Sequence, residues 1–302
     1  VIRLAVRVQR AQAELVLAEL LELAPAGVEE LQVGEDMVEY AVYGAPGELP
    51  SLPDLHAAAG EALVEISTSE TADDWQERWK QFHRPVLIAA PQQQSRAGAR
   101  AVPALRIRPP WEQPGAATAA AVEEIVIDPG QAFGTGAHAS TSLCLQLLLD
   151  LAAAEPARRP LLDLGTGSGV LAIAAARLGF DPVLGLDHER ESVEAARANA
   201  LVNDVRIGVE RFDLRTDVLP WPEAGGPPAA QLAILANLLR PLLLELARTI
   251  EGAPAHLIAG GLLCEQADEV VGEFGARLQM RERRRIASGE WCAVWLTGAS
   301  AG

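Results

Sequence analysis

Apolar positions along the chain change period repeatedly, and three regions follow from those changes. From Ile2 to Val8 apolar and polar residues alternate with the period of a half-buried strand. Ala11 to Leu23 has the spacing of a helix, Val28 to Val33 and Met37 to Tyr43 alternate again, and Pro53 to Leu63 predicts a short helix before a last strand. The order βαββαβ over residues 1–66 predicts a small α+β, ferredoxin-like domain. Residues 67–100 predict a linker. Acidic Asp73 and Asp74 open a helix that carries Trp75 and Trp79 on one face, suited to packing against a neighbour, and Pro91 to Gly98 reads as an exposed loop.

Over residues 101–302 short β-rich runs alternate with helical ones. Predicted strands are Pro160 to Leu164, Pro182 to Asp187, Val205 to Phe212, Gln231 to Asn237, Ala255 to Gly260 and Trp291 to Leu296. Helices are predicted between most of them, including Gly169 to Leu178 and Arg190 to Val202. Such alternation implies an α/β domain with a mainly parallel sheet covered on both faces.

Composition changes this picture little. An apolar fraction of 49% with 22% charged residues is that of a globular chain, and 302 residues suffice for a substantial core. The richest apolar run, Leu143 to Ala154, is broken by Gln146 and Asp150, so no membrane span is expected. The alternating first residues lack the apolar block of a signal peptide, and a cytoplasmic location is expected. Cys144, Cys264 and Cys292 are far apart and in apolar surroundings, which predicts buried thiols and no metal site. The net charge of −16 favours a basic partner and argues against direct nucleic-acid binding. The basic run Arg281 to Arg285 is expected to be a solvated strand or loop face.

Chemistry concentrates in two glycine-rich stretches. Leu161-Leu-Asp163-Leu-Gly165-Thr-Gly167-Ser-Gly169 is a buried strand entering a tight turn and then a helix. Glycines let the backbone approach a ligand, and the free N–H groups of a helix start favour a carboxylate or phosphate. Asp187 closes the next predicted strand, where a carboxylate can accept the hydroxyls of a ribose. A dinucleotide fingerprint is GxGxxG, but here the third glycine comes one residue early and position 170 is valine. The GxGxG spacing after an acidic strand residue instead resembles the first motif of the class I methyltransferases. A turn that merely needs small residues is the alternative.

The second stretch runs Ile127-Asp128-Pro-Gly130-Gln-Ala-Phe133-Gly-Thr135-Gly-Ala-His138-Ala-Ser140-Thr141-Ser-Leu-Cys144 into an apolar helix. Two glycine loops before two helices suggest one cleft closed from both sides. Phe133 is a candidate to cover an adenine or wall a methyl channel. His138 is a candidate base, or a hydrogen-bonded structural histidine.

That second stretch closely resembles the signature DPGxAFGTGxHxTTxLCL of the bacterial protein methyltransferase A family, whose members methylate the eleventh protein of the large ribosomal subunit. DLGTGSGVLAIAAARLG over 163–179, ANLLRPLLLELA over 236–247 and EWCAVWLTG over 290–298 agree with it. The resemblance is strong from about residue 125 to 298, and the linker tryptophans fit it too. Over residues 1–66 only the element order matches.

The resemblance implies a class I, Rossmann-like methyltransferase domain at 101–302 and S-adenosylmethionine as cofactor. It implies a substrate-recognition role for the N-terminal domain. The acceptor would be lysine side chains or the α-amine of that basic ribosomal protein. Cofactor contacts of the family fall on Thr141, Gly165, Asp187 and Asn237, and Gly167, Phe133 and Thr135 join them as candidates. Asn237 is also the candidate that positions acceptor and cofactor, although an asparagine at a strand end is an ordinary turn former too.

The chain departs from the pattern at Thr166, where cysteine is usual, at Ser140, and at Leu239-Arg240 before Pro241. The related glutamine methyltransferases carry Asn-Pro-Pro-Tyr where this chain has Asn-Leu-Leu-Arg-Pro, which disfavours glutamine as acceptor. Other readings are a methyltransferase for another protein lysine or for RNA, a nicotinamide dehydrogenase, and a non-catalytic cofactor-binding protein.

Overall fold

A computed structural model describes residues 2–13, 16–17, 20, 28–34, 36–44, 49–50, 55–56, 59–70, 84–90, 102–115, 122–129, 138–154, 159–220 and 229–298. The chain divides into two compact units, Val1–Phe82 and His83–Gly302. The predicted linker helix with Trp75 and Trp79, and the loop from Pro91, lie outside the described residues.

The first unit is a four-stranded antiparallel sheet. Strands β1 (Ile2–Gln9), β2 (Glu29–Gln32), β3 (Met37–Gly44) and β4 (Leu63–Glu70) lie in the order β2-β3-β1-β4. Helical residues Ala13, Val16 and Leu20, with Leu55 and Ala59, bury against Val6, Val8 and Tyr40 on one face. This is the ferredoxin-like arrangement that the βαββαβ pattern predicts. On the other face Glu39 accepts from Arg3 and Arg7 at 2.6 Å each. Strand β4 begins at Leu63, inside the predicted short helix, and runs past residue 66 to Glu70.

The second unit holds a three-stranded sheet, β5 (Val86–Ile88), β6 (Ala104–Arg108) and β7 (Val122–Val126), and a seven-stranded one. The seven strands are β8 (Leu161–Leu164), β9 (Val183–Asp187), β10 (Gly208–Arg211), β11 (Ala233–Asn237), β12 (His256–Leu263), β13 (Arg281–Ser288) and β14 (Trp291–Thr297). Their order is β10-β9-β8-β11-β12-β14-β13, parallel from β10 to β12 and antiparallel where β14 meets its two neighbours. Among the described residues of this unit the α-helices are α1 (Ala139–Ala154), α2 (Val170–Arg177), α3 (Arg190–Val202), α4 (Arg240–Thr249) and α5 (Ala267–Leu278).

Successive strand residues point to opposite faces, so each strand serves two cores. Leu161, Val183, Leu235 and Ile258 join α1 and α2, whereas Leu162, Leu184, Ile234 and Leu257 join α4 and α5. No described helix is long and apolar enough to cross a membrane.

Several expectations change. Strand β10 is only four residues, not the eight of Val205 to Phe212. The predicted linker contains β5, paired antiparallel with β6. Arg281 to Arg285, by contrast, forms the exposed start of edge strand β13, the solvated strand face that was expected. Cys144 and Cys292 are buried as expected, but Cys264 is exposed at the start of a 3-10 turn, Cys264–Gln266.

Candidate functional site

The strand order reverses at one place. From β8 the chain steps outward through β9 to β10, then returns to β11 on the other side of β8. Loops leaving the carboxyl ends of β8 and β11 therefore diverge and leave a crevice between them. Gly165 follows β8 and Asn237 ends β11, so both candidates sit at that switch point.

The turn after β8 is held by its own backbone. Gly165 N and Thr166 N both donate to the Leu186 carbonyl, at 2.8 and 3.0 Å, and Gly169 N donates to Thr166 O at 2.8 Å. Gly167 N donates to Asp187 Oδ2 at 2.9 Å, and Asp187 Oδ1 accepts from Glu189 N at 3.1 Å. The carboxylate at the end of β9 is thus oriented by two amides before any ligand arrives. Gly165 has φ +71°, and a Cβ there would lie 2.5 Å from the Leu238 side chain. Only glycine meets both conditions without strain.

Beneath the turn lies Asp163, fully buried. Its Oδ2 accepts from Thr166 Oγ1 at 2.7 Å and from Ala172 N at 3.1 Å. Burial pushes its carboxyl up to about 7, against the lowering effect of these two donors, and the nearby Asp187 charge adds to the rise. Thr166, where the resembled family has cysteine, is therefore a hydroxyl donor to a buried acid. It fits because residue 185 is glycine, where a Cβ would come within 2.8 Å of its Oγ1.

Across the crevice Asn237 Nδ2 donates to Thr141 Oγ1 at 3.3 Å, joining two candidates 96 positions apart. Its Oδ1 is buried and accepts no hydrogen bond from a described residue. Gly260 pairs with Asn237 in the sheet, and a Cβ at Gly260 would lie 3.1 Å from that oxygen and collide with Cys144 Sγ. Burial pushes the Cys144 thiol up, so it stays protonated and inert.

His138 precedes α1 and belongs to its start. Ser140 N donates to its Nδ1 at 3.3 Å, Ser140 Oγ is 2.8 Å from the same nitrogen, and its ring meets Trp291 edge-on at 4.7 Å. Burial lowers its pKa, which keeps the imidazole neutral. These contacts match the structural reading of His138 and leave Nδ1 engaged in capping the helix.

A cleft open to solvent lies at the strand ends. Gly165 and Asp187 line it, together with Phe212, Asp213, Leu238 and Leu242. These last four were missed by sequence reasoning. Their signal was positional, since Phe212, Asp213 and Leu238 directly follow β10 and β11, where a parallel sheet presents its ligand-binding ends, and Leu242 lies in the first turns of the helix that comes next. Leu239 is exposed beside the cleft, and Arg240 is ion-paired with Glu269 at 2.6 Å. Phe133, Thr135 and the glycines of residues 130–136 lie outside the described residues. Among the described residues no group of three or more His, Cys, Asp and Glu side chains is arranged to hold a metal ion.

The family model described as ribosomal protein L11 methyltransferase (PrmA) matches residues 54–298. A ribosomal protein L11 methyltransferase of Pelobacter propionicus is 36% identical over 237 residues, which cover 76% of this chain and 68% of that protein. Its counterpart in Sorangium cellulosum is 30% identical over 284 residues, covering 89% and 81%. The crystal structure of a ribosomal protein L11 methylase from Lactobacillus delbrueckii subsp. bulgaricus superposes with a TM-score of 0.53 at 28% identity, over 64% of this chain and 94% of that one.

The buried acid has a consequence for stability. Asp163 binds its proton more tightly in the folded protein than in the unfolded chain, so its contribution to stability falls as pH rises from about 4, the unfolded value, to about 7. Asp163→Asn removes that titration and keeps an acceptor for Thr166 and Ala172. The melting temperature of the variant relative to the native protein should therefore be higher at pH 8 than at pH 5. A difference independent of pH would show that Asp163 does not titrate in this range.

Proposed function

Because the chain belongs to the ribosomal protein L11 methyltransferase (PrmA) family, and is a methyltransferase, we propose that it moves methyl groups from S-adenosylmethionine to amines of ribosomal protein L11. The observation that carries the reading is the meeting, at one switch point, of the glycine turn, Asp187 and the Asn237–Thr141 pair. The pocket fits the cofactor by its chemistry. Asp187 is a preoriented acceptor for ribose hydroxyls, with Gly165 and Gly167 beside it, and Phe212 and Leu214 offer apolar surface for a base. The start of α2 offers N–H groups to a carboxylate. Asn237 Oδ1 is a buried acceptor awaiting a donor, and such groups are costly to leave unmatched. Phe133 and Thr135 complete the candidate set by resemblance.

When bound, S-adenosylmethionine supplies a methyl group already activated by its sulfonium. What remains for the protein is to align the two reactants and exclude water. The acceptor amine must be neutral. At pH 7 deprotonation costs about 4.6 kcal/mol for a lysine of pKa about 10.4, and about 1.4 kcal/mol for an α-amine near 8. Apolar surroundings lower an amine's pKa, and Leu238 and Leu242 give the cleft such a wall. Asn237 Oδ1 can accept an amine N–H and aim the lone pair. His138, engaged at Nδ1 by the helix start, is not needed as a base.

The net charge of −16 suits a basic acceptor. A ribosomal protein is met in the cytoplasm, where we infer the reaction occurs, without nucleic acid as the direct target. The N-terminal ferredoxin-like unit holds no glycine loop. We assign it to docking the acceptor, since a cleft that sees one amine cannot by itself distinguish among many lysines.

Two measurements test this reading. Asp187→Ala should weaken S-adenosylhomocysteine binding by about 1.5–3 kcal/mol, the range for charge-assisted hydrogen bonds, or roughly 10- to 150-fold. Calorimetric titration that finds unchanged affinity would refute the ribose assignment. A chain beginning at His83 should keep that affinity yet methylate intact ribosomal protein L11 at least about tenfold more slowly, because the remote binding energy is gone. Normal activity of the folded shortened chain would refute the docking role.

A further inference from the structure

Two buried asparagines, one in α3 and one at its end, are not part of the cleft lining, and both are fully used. Asn199 lies in the last turn of the helix and Asn203, four residues on, is its C-cap. Burying an amide is costly unless its donor and acceptor are matched. Asn203 pairs with the open edge of β7. Its Nδ2 donates to Val126 O at 2.6 Å, and its Oδ1 accepts from Val126 N at 2.8 Å. It also donates to the Asn199 carbonyl at 2.8 Å. That pairing is an edge-strand device.

Asn199 makes a different connection. Its Nδ2 donates to Ser168 O at 2.8 Å, inside the glycine turn. Its Oδ1 accepts from Asp128 N at 3.1 Å, where the glycine-rich stretch of residues 127–144 begins. One amide thus ties Asp128 to Ser168, 40 positions further on, in the turn that follows β8. The next residue in the turn, Gly169, lies against the same helix, since a Cβ there would be 3.1 Å from Ala196. On its other side the turn continues through Gly167 N to the Asp187 carboxylate.

We propose that Asn199 is a positioning residue for cofactor binding, clamping the stem of the segment that leads to Thr141 onto the turn that orients Asp187. The inference rests on reading this cleft as the S-adenosylmethionine site. Without the clamp the two segments sample relative placements of which only a fraction binds, and apparent affinity falls by that fraction.

The test compares native protein, Asn199→Ala and Asn203→Ala by calorimetry with S-adenosylhomocysteine, by KM and kcat for S-adenosylmethionine, and by melting temperature. Asn199→Ala should raise the dissociation constant and KM about tenfold or more, with kcat at saturation changed less than about threefold. Asn203→Ala loses at least as many hydrogen bonds and should destabilise comparably, with affinity within about twofold of native. Equal affinity losses in both variants, in proportion to their destabilisation, would mean that Asn199 is merely structural.

Hydrogen exchange on the native chain keeps the inference open to refutation should Asn199→Ala not fold. The Asp128 amide should be protected and should slow further, together with the 165–169 turn, when S-adenosylhomocysteine binds. Free exchange at Asp128, unaffected by the ligand, overturns the clamp. Failure of the native protein to bind S-adenosylhomocysteine overturns the cofactor reading and this inference together, whereas native binding with unchanged affinity in Asn199→Ala overturns the inference alone.

Discussion

Everything at the site depends on how the chain turns after β8. Two successive amides, from Gly165 and Thr166, converge on one carbonyl, that of Leu186, and a third, from Gly167, reaches the Asp187 carboxylate. The turn therefore belongs to two strands at once. It closes β8 and orients the acid that ends β9. Positive φ at Gly165, Gly167 and Gly169 is the backbone condition for folding so tightly. Beneath it Asp163 fills a fully buried position, held by the Thr166 hydroxyl and the Ala172 amide.

The opposite wall is built by sheet register rather than by a turn. Asn237 and Gly260 are paired neighbours on β11 and β12, and the absent side chain of Gly260 makes room for the amide and for Cys144 beneath it. Thr141 comes from the start of α1, whose placement depends on that small residue. Strand order brings the two walls together, because the chain reverses its direction of winding between β8 and β11. The chemistry proposed for the site, alignment of an activated methyl group with a neutral amine, needs this fixed geometry more than it needs a strong acid or base.

How much of this was legible in the sequence depends on how local each feature is. The glycine turn and Asp187 were readable because strand, turn and acid are adjacent in the chain, and buried strands announce themselves as apolar runs such as Leu161 to Leu164. The Thr141–Asn237 pair emerged only by resemblance, since no local pattern connects residues 96 positions apart. Strands β5 to β7 escaped notice because they are short and half-buried, with Arg106 and Arg108 satisfied by Glu124 across the ladder rather than by solvent. Cys264 looked apolar from its neighbours Leu262 and Leu263, yet a 3-10 turn carries it to the surface. Asn199 resembled any helix asparagine until the fold placed Asp128 and Ser168 on either side of it.

The most direct measurement is the intact mass of ribosomal protein L11 after incubation with this protein and S-adenosylmethionine. If the strand ends around Asp187 and Asn237 form a methyl-transfer site for that acceptor, its mass should rise in one-methylene steps, and fragmentation should place them on lysine or α-amine nitrogen. An acceptor whose mass stays unchanged, with folded enzyme and bound cofactor, would contradict the assignment.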